Sequence, residues 1–312
     1  MRAVGAQRFG GPQVLEVLDL PVPDAGPGQV RIRVRAAAVN PTDTMLRGGA
    51  AISAWRQKEP PYVPGMDAAG VVAQIGAGTQ TDLRVGDRVM AVVVPVGRHG
   101  AYAEQIVLPA DSLARSPVNA TDVEAATLPM NGLTARLALD VLVLRPGHTV
   151  AVTGAAGAVG GYTIELAKAA GLHVIADAAP MDEALVRELG ADVVLPRGDD
   201  FPRRVRAQVP EGVDGVVDAA LLERTVLPAV RDGGRIATLR RFEDAGERGV
   251  TFHPVVVSEH AREADKLERL RQQAEAGVLT LRVAHVLPME EAAEAHRMLE
   301  AGGIRGRIVL TF

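Results

Sequence analysis

Residues 149–160, Thr-Val-Ala-Val-Thr-Gly-Ala-Ala-Gly-Ala-Val-Gly, constrain this chain more than any other stretch. The apolar residues at its start read as a buried strand. Gly154, Gly157 and Gly160 then make a tight turn, and Tyr162 to Lys168 continues as a helix. That order gives the glycine spacing a physical purpose. Glycines let the backbone turn sharply, approach a pyrophosphate and pack helix against strand, while the helix N-terminus offers N–H groups and a positive dipole end. The candidate contacts are Gly154, Ala156, Gly157, Ala158, Val159 and Gly160. A second apolar strand at 172–176 runs into Asp177, near where an acid would meet an adenosine ribose. The strand–turn–helix context favours a dinucleotide site over a merely structural Gly-rich turn.

Composition narrows the classes around that site. A length of 312 residues allows one large or two medium domains. A net charge of -4 gives no reason to expect nucleic acid or an anionic membrane as partner. With no cysteine, the chain has no disulfide, thiolate zinc site, iron–sulfur cluster or cysteine nucleophile. The first residues lack the apolar core of a signal peptide, and no apolar run is long enough to span a bilayer. A soluble cytoplasmic protein is the expectation.

Two textures divide the chain. Residues 1 to about 118 look β-rich: 29–35 alternate apolar and charged side chains, and 70–76 and 88–94 read as further strands between Gly/Asp turns. From Thr121 helical stretches alternate with apolar strands at 149–153, 172–176, 192–195, 215–218 and 235–239, with 255–257 as the last. Such alternation predicts an α/β fold, a parallel sheet with helices on both faces. A charged helix over 259–276, a short strand, a helix over 289–300 and a terminal strand at 307–310 close the chain.

With both halves in view, the chain resembles the medium-chain dehydrogenase/reductase superfamily, and within it the zinc-independent quinone oxidoreductase and enoyl reductase branch. The likeness runs nearly end to end, through residues 38–43 (Ala-Val-Asn-Pro-Thr-Asp), 63–70, 85–89, 100–104, 131–135, the glycine turn and 303–310. It implies a GroES-like substrate domain from 1–119 and 259–312, a Rossmann cofactor domain at 120–258, and an active site in the cleft. It also implies a homodimer formed by edge strands of the cofactor domain.

The zinc alcohol dehydrogenases of the superfamily place a Cys where Asn40 stands and a His-Glu pair where Met66-Asp67 stands; their four-cysteine structural-zinc lobe has no counterpart. Zinc would otherwise polarise a carbonyl as a Lewis acid. The resemblance therefore implies an acceptor that is already activated, a quinone or an α,β-unsaturated carbonyl, reduced by NAD(P)H with a zinc-free site. By the same resemblance Asn40 lies near nicotinamide and acceptor, its bland alternative being a turn residue before Pro41. Thr134 lies near the nicotinamide ribose, or is a helix-interior Thr bonding back to a carbonyl. Asp43 orients that loop or caps a helix starting near Thr44. Tyr62, Tyr102 and Tyr162 read as packing aromatics, and Arg47 reads as a solvated surface residue or as an electrostatic substitute for a proton-donating Tyr. Residues 45–51 lack the proton-donating Tyr of some enoyl reductases.

The dinucleotide's 2′ position is a conflict. Asp177 would accept from a ribose diol and repel a phosphate, which points to NADH. The resemblance points to NADPH, although the Lys and Tyr expected for its phosphate are absent, leaving Arg197 as the nearby cation by sequence. Ala219, Leu239 and Val257 follow or end sheet strands, where such ligands bind. Loops around 44–62 and 240–250 are expected to build the acceptor pocket. His99, beside Gly100, is the histidine most placed to relay protons. Two other readings stay open: an enoyl reductase of a polyketide-like biosynthetic pathway, and a nucleotide-binding redox sensor without relevant turnover.

Overall fold

The computed structural model describes residues 1–49, 58–242 and 244–312. Parts of the expected acceptor loops, residues 50–57 and Glu243, lie outside the described residues. In chain order the strands β1 to β7 are Arg2–Ala6, Leu15–Asp19, Gln29–Val39, Asp67–Ile75, Arg88–Val92, Gln105–Pro109 and Leu113–Arg115. Helix α1, Pro41–Arg47, follows β3, and α2, Asp122–Ala125, and α3, Pro129–Leu142, follow β7. Next come β8 (Thr149–Thr153), α4 (Ala158–Ala169), β9 (His173–Ala178), α5 (Glu183–Glu188), β10 (Val193–Pro196), α6 (Phe201–Gln208) and the strands β11 to β13 (Val213–Asp218, Val230–Thr238, Thr251–Pro254). Helix α7 (Ala264–Glu275), β14 (Val283–Pro288), α8 (Ala292–Ala301) and β15 (Arg307–Thr311) complete it.

The chain divides into two compact units. One holds Met1–Met130, Ser258–Ala276 and Leu281–Phe312; the other holds Asn131–Val257 and Gly277–Thr280. The domain bound at 119/120 implied by the resemblance lies before this crossing, because the short helix capped by Thr121 belongs with the first unit.

In the first unit a seven-stranded sheet has the order β14-β15-β3-β4-β5-β7, with β6 also on β3, among the described residues. Val30, Ile32 and Val34 of β3 are buried between outward arginines, as the alternation predicts. The strand then continues to Val39, beyond the alternating stretch, because β15 pairs along residues 36–39 and small alanines fill a segment buried on both faces. In the second unit the order β10-β9-β8-β11-β12-β13 is parallel throughout. This is the doubly wound sheet expected from the alternation. The chain leaves β8 toward β9 on one side and returns to β11 on the other, so β8 and β11 flank the switch point where open α/β sheets bind ligands. Phe201 and Val205 of α6 pack with Ala151, Ile175, Val216 and Ile236 in this unit's core.

Several element bounds differ from the sequence reading. Asp177 lies inside β9, in register with Leu195, and the strand runs one residue further. No strand forms at 255–257: the polar Thr-Phe-His-Pro at 251–254 pairs with β12 instead, and Val257 opens a 3-10 turn, Val257–His260. Parallel pairing decides here over the β-propensity of three valines. The charged helix starts at Ala264, after that turn.

Two backbone positions are tight enough to test. A Cβ on Gly160 would sit 2.3 Å from the Gly154 carbonyl oxygen, whereas one on Gly157 would sit 3.1 Å from the same atom. Gly160→Ala is therefore expected to lower stability by about 1–3 kcal/mol, and Gly157→Ala by less, in thermal unfolding. An unfolding midpoint for Gly160→Ala at or above the wild type would rule out helix–strand contact as the reason for this glycine. Glu223 is exposed and held at φ 54°, a left-handed conformation that L side chains disfavour. Glu223→Gly is expected to raise stability by up to about 1 kcal/mol.

Candidate active site

In the first unit the site is a turn between β3 and α1. Asn40 is the N-cap of α1, in extended conformation, and Pro41 supplies the fixed φ of the first helical residue. Asp43, at the third helical position, reaches back to accept the Asn40 backbone N–H at 2.8 Å. The cap is thus Asn40 and the helix starts at Pro41, not near Thr44. Asp43 also accepts the Gly65 N–H at 3.0 Å and the Tyr102 hydroxyl at 3.3 Å. Gly65 has φ 105°, and a Cβ there would stand 2.6 Å from the Tyr102 ring, so only glycine fits against that partner.

Asn40 has no exposed surface. Its Nδ2 donates to Asp67 Oδ2 at 2.7 Å and lies 3.4 Å from the Ala38 carbonyl. Asp67 Oδ1 accepts the Met130 N–H at 2.6 Å. The amide expected to face a ligand is therefore directed into the protein, onto the acid that stands at a zinc-ligand position of the resembling enzymes. Burial pushes both carboxyls up to about 7: Asp43 against its three donors, and Asp67 against the Met130 and Asn40 donors and the positive charge of Arg307. Among the described residues no group of three His, Cys, Asp or Glu side chains is placed to hold a metal ion.

Residues read as bland from sequence complete this cluster. Tyr102 is fully buried, with its hydroxyl 3.2 Å from His296 Nε2. His296 Nδ1 lies 3.3 Å from Arg47 Nη1. Arg47 is buried rather than a solvated surface residue, and donates to Glu300 and to the Gly10 carbonyl. Burial and the neighbouring Arg47 push the His296 imidazole down to about 3. A usable signal for His296 existed: it follows Met289, Ala292 and Ala295 on the apolar stripe of the last helix. Thr42 was also missed. Its hydroxyl, on the second residue of α1, is buried with no hydrogen-bond partner among the described residues, and buried hydroxyls are rarely left so. His99 is partly buried, which lowers its pKa.

In the second unit the site is the glycine turn at the carboxyl end of β8. Gly154 takes φ 63°, and a Cβ on it would lie 3.1 Å from the Ala219 carbonyl carbon, so glycine suits both the turn and the close approach of the β11 end. Gly157 is the N-cap of α4, and no side chain caps that helix. Ala156, Ala158 and Val159 thus sit where the helix start faces the turn. Across the switch point Asp218 gathers the β11 end: it accepts the Thr153 hydroxyl at 2.7 Å, the Leu222 N–H at 3.0 Å and the Glu223 N–H at 2.7 Å. Ala219 follows directly, its neighbour Ala220 donating to Thr153 at 3.0 Å.

Asp177 is buried, and its Oδ1 accepts the Ala155 N–H of the glycine turn at 3.0 Å. Burial raises its pKa, the Ala155 and Gly154 N–H groups and the charge of Arg197 draw it back, and Asp218 raises it further. Arg197 follows β10, its N–H on the Ala178 carbonyl at 2.9 Å and its side chain exposed. Leu239 follows β12, Val257 opens the turn after β13, and Thr134 is buried on α3.

Comparisons with known proteins agree with both halves. The alcohol dehydrogenase GroES-like domain model matches residues 26–118, and the zinc-binding dehydrogenase model matches residues 189–310. A 2-haloacrylate reductase of Burkholderia sp is 33% identical, covering 96% of this chain and 96% of its own. An NADPH-dependent alkenal/one oxidoreductase of Arabidopsis thaliana is 30% identical, covering 99% of this chain and 79% of its own. A solved structure described as an NAD-dependent alcohol dehydrogenase is 34% identical, with TM-score 0.87 over all of both chains. With a glycine turn at the switch point of a parallel sheet, a GroES-like match and relatives of this identity along nearly the whole chain, the protein belongs to the medium-chain dehydrogenase/reductase superfamily and is an NAD(P)H-dependent oxidoreductase of its quinone oxidoreductase and enoyl reductase branch.

Proposed function

We propose that this chain reduces the activated double bond of an α,β-unsaturated carbonyl compound or a quinone, without zinc and with NADPH as the better donor. The observation that carries the reading is the Asn40–Asp67 hydrogen bond of 2.7 Å. Where zinc relatives place metal ligands, this chain has an amide, a thioether and a carboxylate, with the amide and the carboxylate bonded to each other and the carboxylate also to Met130. That donor set does not suit zinc, which takes thiolate, imidazole and carboxylate ligands. Without a Lewis acid, a substrate must bring its own activation. The relatives named for haloacrylate and alkenal/one compounds support that class.

The nicotinamide, when bound, supplies a hydride. The glycine turn and the start of α4 hold the pyrophosphate with backbone N–H groups. Thr42 gives its free hydroxyl to the acceptor oxygen on which charge gathers, and a proton from solvent completes the reduction. A preorganised donor of this kind acts most at the charged stage of the reaction. Asn40 serves by holding the turn that carries Thr42. Thr134 and the residues after β11 and β12, Ala219 and Leu239, line the cofactor's path, with Val257 after β13.

Asp177 is already engaged by the Ala155 N–H. Its carboxylate thus braces the glycine turn, and Arg197 offers the exposed cation a 2′-phosphate needs. The NAD-dependent name of the solved relative pulls the other way, and binding measurements separate the two. Fluorescence titrations are expected to show Arg197→Ala weakening NADPH about tenfold with NADH little changed, the loss of one charge-assisted contact. Asp177→Ala is expected to weaken both. Selective improvement of NADPH by Asp177→Ala would mean that the acid faces the ribose instead.

Turnover of 1,4-naphthoquinone, a 2-alkenal and a 2-haloacrylate, each with NADPH and NADH, tests the reaction. Reduction of at least one, unaffected by a zinc chelator, is expected. Alcohol oxidation abolished by the chelator, with all three acceptors inert, would overturn the reading. Thr42→Val, which keeps shape and removes the hydroxyl, is expected to lower kcat about a hundredfold.

A further inference from the structure

The contacts linking Arg47, His296, Tyr102 and Asp43 have only one consistent direction. A guanidinium donates and never accepts. The Arg47 contact at 3.3 Å therefore makes His296 Nδ1 an acceptor, and the proton of the neutral imidazole lies on Nε2. Nε2–H then donates to the Tyr102 oxygen at 3.2 Å, which leaves the Tyr102 hydroxyl proton free to donate to Asp43 Oδ2 at 3.3 Å. Every donor points toward Asp43. Protonating Asp43 and reversing the Tyr102 hydroxyl would require His296 to accept on both nitrogens at once, which the neutral ring cannot do. Arg47 also does not release a proton, so the series carries polarity rather than protons. All four side chains are buried, and the Tyr102 and His296 rings meet edge to face at 5.8 Å.

We propose that Tyr102 and His296 are positioning residues for the reductase: set in one direction by Arg47, they hold Asp43 as an acceptor, and Asp43 fixes the turn that carries Asn40 and Thr42. This rests on the reading that Thr42 acts in the reaction. The charged and titratable groups around Asp43 are Tyr102 directly, Asp67 on β4, Arg307 on β15, and His296, Arg47 and Glu300 behind Tyr102. Asp67 opposes ionisation of Asp43, and the Tyr102 hydroxyl favours it.

The test compares Tyr102→Phe, His296→Leu and His296→Gln with the wild type and Thr42→Val. Gln keeps one acceptor for Arg47 and one donor for Tyr102; Leu keeps neither. With NADPH and whichever of the three acceptors turns over fastest, Tyr102→Phe and His296→Leu are expected to lower kcat about tenfold or more, with KM for NADPH unchanged. Their acid limb is expected to move to higher pH, since Tyr102→Phe removes a donor to ionised Asp43 and His296→Leu removes the contact that fixes the Tyr102 hydroxyl on it. His296→Gln is expected to restore kcat and the pH limb. A second readout uses the cofactor-free protein: the infrared carboxylic-acid band assigned by its loss in Asp43→Asn is expected to persist to higher pH in Tyr102→Phe. If Thr42→Val leaves kcat intact, the reading of the reaction fails; the infrared shift still decides the hydrogen-bond series. If Thr42→Val is crippled while Tyr102→Phe and His296→Leu keep the wild-type kcat and pH limb, the positioning role is overturned. It is also overturned if His296→Gln is as impaired as His296→Leu, with falls in kcat that only follow falls in the unfolding midpoint and no movement of the acid band.

Discussion

A carboxyl group with no access to water ties the first unit together. Asp43 takes hydrogen bonds from the Asn40 turn, the Gly65 loop and Tyr102, and through Tyr102 and His296 it is joined to the last helix of the chain. Burying an acid is costly unless donors surround it. Here the donors come from segments far apart in sequence, so satisfying one side chain fixes several backbone segments at once. The arrangement also explains why α1 begins where it does: a helix capped by Asn40 and braced by Asp43 cannot slide by one residue without orphaning both.

The second unit uses the same device at the carboxyl ends of its central strands. Asp218 draws the hydroxyl of Thr153 and two N–H groups beyond β11 into one cluster, and Asp177 takes an N–H of the glycine turn. Leu221 and Glu223 are held at φ 59° and 54° by that cluster. Non-glycine residues in the left-handed region persist where the surroundings over-determine them. The strain therefore belongs to the geometry of the switch point, where Ala219 must pass within contact of Gly154. Glycines make the close approach possible, and buried acids hold it in place.

The regular part of this design was legible in the sequence. Alternation in β3 and the repeated strand–helix order of the second half carry their own periods, and Gly154, Gly157 and Gly160 carry the turn. Length and end of elements were less legible, because β3 continues and the 255–257 strand fails for reasons of pairing with distant strands. The polar cluster was the least legible. Tyr102, Arg47 and His296 are separated by up to 249 residues in sequence, and each alone reads as packing or surface. Periodicity sees burial; it does not see which buried polar group finds which. Asn40 was singled out through resemblance, yet its partner Asp67 emerged only when the strands were brought together.

On the proposed zinc-free reading, that cluster takes over part of what a metal would do in this fold. A metal organises a site by fixing the positions of its ligands, and any network that fixes the same segments can take over the organising part of the role, though not the Lewis acidity. Asn40 on Asp67, Asp67 on Met130 and Asp43 on Gly65 join the turn after β3, the start of β4 with the loop before it, and the start of α3. The replacement has one property a metal lacks: its acids, both pushed up toward neutrality by burial, change charge within the range where proteins work. A donor series that can point only toward Asp43 counteracts that tendency, favouring the ionised form that accepts all three of its hydrogen bonds. The one-way polarity imposed by Arg47 keeps the Tyr102 hydroxyl on Asp43, so the turn keeps the hydrogen bonds that set its shape.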